Sequence, residues 1–131
     1  MTSEGLPDDF ERYFTLEEAL GVLVEIRPRL QRMQDARAEF RELRARLEQS
    51  ARDNGDSRPS EPKFAQLVAE LERLVAEIDR AGVILRDPDT GLIDFPSIRD
   101  GEQLFLCYRL DDDSIGYWHG INEGFQQRKP L

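Results

Sequence analysis

The sequence predicts an α+β fold: a long antiparallel helical hairpin, coiled-coil-like and with its first helix bent near Pro28, then a small C-terminal antiparallel β-sheet. Two observations predict it. Apolar residues recur every three or four positions as far as Ala81, and after Gly82 they recur every second position. The only Trp (Trp118), His (His119) and Cys (Cys107) also fall after Gly82, in a segment unlike the charged, Leu-rich stretch before it. Residues 1–12 read as a flexible acidic tail and 13–131 as one domain, with 13–81 the hairpin and 82–131 the sheet and its C-terminal extension.

Thr15 followed by Glu18 is a capping box, in which hydroxyl and carboxylate each satisfy an amide at a helix start, and Phe14 precedes it as a staple against Ala19. Leu16, Leu20, Leu23, Ile26, Leu30 and Met33 then share one helical face. Pro28 interrupts that face at a cost of about 3 kcal/mol unless the helix bends, so two rods are expected to meet near Arg27, the second ending near Ser50. Ala51 to Glu61 carries Gly, Asn, Asp, Ser and Pro and reads as a loop, with Ser60 capping the next helix and Pro62 in its first turn. Phe64, Leu67, Val68, Leu71, Leu74, Val75 and Ile78 form the apolar stripe of the second helix, and Gly82 ends it.

Strands follow at Val83–Arg86, Leu92–Phe95, Gln103–Leu110 and Ile115–His119. Turns lie at Asp87 to Gly91, Asp100-Gly101 and Asp111 to Ser114. Pairing around the last turn sets Leu106 or Tyr108 near Tyr117 or His119.

Acidic residues outnumber basic ones, 27 to 18, for a formal charge of -9, which disfavours nucleic acid. The one basic strip, Arg27 to Arg52, reads as a solvated face or as a contact with helix two or a second subunit. No apolar run reaches the roughly 20 residues of a membrane span. The acidic start and single Cys point to the cytoplasm. The second helix's stripe is wider than one partner helix covers, so a homodimer is expected, with no membrane or nucleic-acid partner.

No complete catalytic motif is present, and no cofactor is implied. Asp87-x-Asp89-x-Gly91 fails the calcium-loop pattern at its fifth and sixth positions and reads as a turn. Asp111 to Asp113 reads as solvated. His119 is a candidate acid, base or ligand, but zinc wants three or four donors and Cys107 would have to face the same side, so no metal is assigned. Arg109, Trp118, His119, Glu123 and Arg128 are the candidate ligand-binding residues, offering an aromatic wall, an imidazole and guanidinium groups suited to an anionic small molecule. An internal pair of Arg109 with Asp94, Glu102 or Glu123 is the structural alternative.

Several blocks together carry a family resemblance. They are Phe14-Thr15-Leu16-Glu17-Glu18-Ala19, Gly82-Val83, Asp87 through Pro96, Leu106 through Leu110, Trp118-His119 and Gly124 through Leu131. These resemble the bacterial "domain of unknown function 2203" family over nearly the whole chain from Tyr13. Tyr108 stands where the family usually has another aromatic, often Trp, and Gln127 near a usual Gly. The resemblance implies a fold and no mechanism. The functional expectation is a small binding or scaffolding protein that self-associates through its hairpin, with a small-molecule site or enzyme at the C-terminal cluster as the alternative.

Overall fold

In the computed structural model, which describes residues 10–54 and 61–131, two helices are followed by a five-stranded antiparallel sheet in the order β1-β2-β3-β4-β5. The helices are α1 (Leu16–Asn54) and α2 (Glu61–Arg80). The strands are β1 (Ile84–Asp87), β2 (Leu92–Arg99), β3 (Glu102–Tyr108), β4 (Tyr117–Gly120) and β5 (Lys129–Pro130).

The capping box forms as expected. The Thr15 amide donates to Glu18 Oε1 at 2.9 Å, and the Glu18 amide donates to Thr15 Oγ1 at 3.1 Å. Phe14 and Ala19 are both buried in the same apolar cluster, as the staple requires.

The expected pair of rods is corrected: α1 runs through Pro28 as a single helix. The physical reason lies in the face the proline occupies. Pro28 is exposed, and so is Val24, whose carbonyl loses its amide donor and can turn to water instead. Arg29 also donates to the Glu25 carbonyl at 2.7 Å. On the opposite face Ile26, Leu30 and Met33 stay buried, and their burial offsets the proline's cost. The helix also outlasts Ser50, continuing to Asn54 through residues expected to be loop. The capping role of Ser60 lies outside the described residues, as does most of the expected tail. At the tail's inner end Phe10 stacks edge-on against Phe105, and Arg12 lies 4.2 Å over the Phe14 ring.

The main core lies between the hairpin and one face of the sheet. Leu23, Ile26, Leu30, Leu74 and Ile78 meet Ile93, Phe95, Leu106 and Tyr108 there. The outer part of the hairpin has its own apolar cluster, with Ala36, Leu43 and Leu67 buried beside Phe40 and Phe64. Much of the α2 stripe is thus covered within one chain, while Val75 remains 45 % exposed. Charged groups clamp the hairpin: Arg29 meets Glu77 at 2.9 Å, and Arg32 meets Glu70 at 2.6 Å. The basic strip has a further use that its charge pattern did not reveal. Arg37 and Arg41 both reach Asp89 in the β1–β2 turn, at 2.8 and 3.0 Å.

That turn needs its glycine. Gly91 has φ +71°, and a Cβ there would sit 2.5 Å from Leu110 Cγ. The β2–β3 hairpin closes at Asp100 and Gly101, both with positive φ, as a two-residue turn of the primed type. The strand β5 has no counterpart among the expected elements; it pairs Lys129 and Pro130 with Trp118 and Tyr117.

Candidate functional site

A sheet residue's face follows from its position, since successive side chains alternate and cross-strand partners share a side. Leu106 pairs with Phe95 and Trp118, and these point toward the helices. Cys107 pairs with Asp94 and Tyr117, and Phe105 pairs with Pro96 and His119, so these point the other way. The expected register around the β3–β4 turn is one position from the observed one.

On this outer face Asp94, Cys107 and His119 converge. All three are buried, and one ligand atom of each lies within 4.8 Å of the others. His119 Nε2 is 3.0 Å from Asp94 Oδ1, and its Nδ1 is 3.0 Å from the Gly120 carbonyl. The carbonyl and the carboxylate both only accept, so an imidazolium satisfies both contacts, and a neutral ring donates to one of them according to its tautomer. Arg86 Nε donates to the other carboxylate oxygen, Oδ2, at 2.8 Å. Burial first, and the charge of Asp94 second, push the Cys107 thiol up to about 12, so it is a neutral thiol near neutral pH.

Above this cluster opens a cavity of about 410 Å³, walled by Arg86, Leu92, Ile121 and Phe125, with Asn122 and Glu123 at its edge. Other surface cavities of about 320 to 410 Å³ exist, so volume does not single this one out. The chemistry of its floor does.

The five residues proposed from sequence do not form one group. His119 lies on the cavity floor and Glu123 at its edge. Glu123 accepts from Lys129 Nζ and from the Gly120 amide, each at 2.7 Å, and these contacts, Lys129 first, hold its carboxyl below the usual range. Arg128 and Arg109 stack on Phe125, at 4.2 and 4.4 Å from its centroid. Both have carboxylate partners. Arg128 takes Asp112 through two hydrogen bonds, at 2.8 and 3.1 Å. Arg109 takes Asp111, at 2.6 and 2.8 Å, in place of the expected Asp94, Glu102 or Glu123. Trp118 packs on the helix side, with Lys129 4.7 Å over its ring. Asp94 and Cys107 complete the floor and were not among the proposed five.

The fold and this face define a small α+β protein: a helical hairpin laid on one side of an antiparallel meander, with a buried Asp–Cys–His cluster under a cavity on the other. The chain belongs to the DUF2203 family, described as "Uncharacterized conserved protein", whose model matches residues 12–131. Comparisons with curated proteins and with solved structures gave no match. No helix among the described residues is long and apolar enough to cross a membrane.

Proposed function

We propose that the protein is a small ligand-binding protein whose site is the outer sheet face, with Asp94, Cys107 and His119 as floor and residues 121–125 as one wall. The observation that carries this reading is the convergence of three buried ionisable groups beneath an open cavity. The helices cover the opposite face, so core packing does not call for this polar cluster. Burying an ionisable pair costs desolvation that apolar residues of the same size avoid, and clefts over such clusters are the usual place for ligands. The commitment of Arg109 and Arg128 to Asp111 and Asp112 moves the emphasis away from anion capture and toward the floor itself. Ile121, 42 % exposed at the cavity wall, supplies the test. In a thermal-shift screen of small molecules, Ile121→Trp fills the cavity and is expected to abolish stabilisation by the compounds that stabilise the parent. Equal stabilisation of parent and variant would overturn the reading.

Self-association is a second reading, supported by an apolar row on α1. Leu16 and Leu20 are each 37 % exposed and Val24 is 75 % exposed, and spacings of four place them on one face. A second copy of the chain is the simplest cover for such a row. Light scattering at tens of micromolar should give a dimer mass that Val24→Glu reduces to the monomer; a monomeric parent would sink this reading.

A further inference from the structure

We infer that the floor of this cavity is a binding site for a zinc-type divalent metal ion, held by Asp94 Oδ1, Cys107 Sγ and His119 Nε2. The inference rests on the proposed cavity site and names what its floor would hold. Three observations support it.

The first is donor chemistry. A nitrogen, a sulfur and an oxygen donor in one cluster suit zinc and related transition metals, whereas calcium and magnesium take oxygen almost exclusively. Binding exchanges the Cys107 S–H bond for an Sγ–metal bond, with the proton released to solvent, and uses the lone pair of His119 Nε2. All three groups are buried, and they come from three different strands, so the sheet itself sets their spacing.

The second is distance. A tetrahedral ion about 2.0 Å from nitrogen and oxygen and about 2.3 Å from sulfur keeps its ligand atoms roughly 3.3–3.5 Å apart. The three atoms already lie within 4.8 Å of one another, and the His119–Asp94 contact at 3.0 Å needs to open only slightly.

The third is the set of supporting contacts. Ligating histidines normally donate their other ring N–H to a carbonyl or carboxylate, and ligating carboxylates are themselves hydrogen-bonded. His119 Nδ1 is already directed at the Gly120 carbonyl, and Arg86 already engages the second oxygen of Asp94. His119 and Asp94 are thus each oriented by their second polar atom; an ion between Nε2 and Oδ1 replaces their mutual 3.0 Å contact, and Arg128 Nη1 lies 3.9 Å from Cys107 Sγ on the third side. Three protein ligands with a cavity beside them leave a fourth position at which a small molecule could meet the ion.

The test uses the full chain, stripped with a chelator and titrated with Zn2+ against a chromophoric competitor, and separately with Co2+ as a spectroscopic probe. One ion per chain is expected, with a near-ultraviolet thiolate-to-cobalt band. Cys107→Ser, the mildest change of the three, should lose that band and weaken zinc binding by about 100-fold or more. His119→Gln and Asp94→Asn should weaken it comparably, and Val24→Ala, exposed on α1 and away from the cavity, should leave it unchanged. Absence of one-to-one zinc binding to the parent at micromolar concentration would overturn the inference. So would zinc affinity within about threefold of the parent in a folded Cys107→Ser chain. If zinc binding fails while Ile121-sensitive small molecules still stabilise the protein, the metal is refuted and the cavity reading stands. If zinc binds and no such molecule is found, the cavity reading fails and the metal stands.

Discussion

Removing Asp94 from the metal-free protein should destabilise it far more than removing Arg86, although the two are directly paired. Asp94 is 2 % exposed and is contacted from two sides: Arg86 Nε donates to Oδ2 at 2.8 Å, and His119 Nε2 lies 3.0 Å from Oδ1. Its loss affects the two partners unequally. The Arg86 side chain is 42 % exposed, so it regains water at little cost. The His119 side chain is 3 % exposed, and its Nε2 is left buried without a partner. An unsatisfied buried polar group costs about 1–3 kcal/mol, and the space vacated by the carboxylate adds roughly 1 kcal/mol. Asp94→Ala should therefore cost about 3 kcal/mol, near the lower end of the 3–5 kcal/mol seen when a buried pair loses one member. Arg86→Ala removes only the exposed member, and solvent screening limits its effect to about 1 kcal/mol. Urea unfolding in the presence of chelator, with equal slopes for all variants, gives both numbers. A cost for Asp94→Ala below about 1 kcal/mol, or one equal to that of Arg86→Ala, would refute the claim that the Asp94–His119 contact is a dry, committed pair.

The remaining predictions concern the frame around the site. Gly91→Ala should cost about 2–4 kcal/mol, since it combines a positive φ with a Cβ 2.5 Å from the Leu110 side chain, and thermal unfolding will show it. Leu30→Ala should cost about 2–5 kcal/mol as a fully buried core truncation, whereas Val24→Ala, 75 % exposed on the same helix, should change the monomer's stability by less than about 0.5 kcal/mol. Acid should loosen the hairpin through carboxylates whose folded pKa values are depressed: Arg32 lowers that of Glu70, and Arg37 and Arg41 lower that of Asp89. Such groups contribute stability above their ordinary values of 4.5 and 3.8 and lose it as pH falls through the lower folded values, so stability should decline from about pH 5 downward. Arg32→Gln should flatten the Glu70 part of that decline, which pH-dependent urea midpoints will measure.

Local chemistry made much of the fold legible, and energies settled over longer distances account for most of what was not. The capping box at Thr15 and Glu18 and the turn at Asp100-Gly101 are short-range devices, and both form where the residues call for them. Pro28 is different. Its effect depends on which face it occupies and on how much apolar surface the helix buries on the other, and only the packed sheet reveals that Ile26, Leu30 and Met33 hold the helix together across it. The strand β5 spans only Lys129–Pro130, too short for any period to declare it. It forms because Trp118 and Tyr117 supply an open edge.

The buried cluster was legible in part, and strand parity decides which of the candidate residues share its face. His119 stood out as the only imidazole and is one of the three residues of the buried cluster. Its partners were encoded less visibly. The two-residue turn at Asp100-Gly101 pairs Arg99 with Glu102, and counting outward from it brings Asp94 opposite Cys107. The β3–β4 pairing then sets His119 opposite Phe105, one step along the same face from Cys107. Parity thus decides that the lone Cys and the lone His share a side, the condition a metal site required. The same parity separates Trp118 from His119, because adjacent residues of a strand point to opposite faces. The two guanidinium groups are engaged by carboxylates after β3, Arg109 by Asp111 two residues on and Arg128 by Asp112 sixteen residues away in sequence, with Arg128 Nη1 also 3.9 Å from Cys107 Sγ. A carboxylate within reach captures an arginine before a distant ligand can. A buried aspartate among apolar strand neighbours, as Asp94 is between Ile93 and Phe95, was therefore a stronger signal for the buried cluster than any of the exposed charges around it.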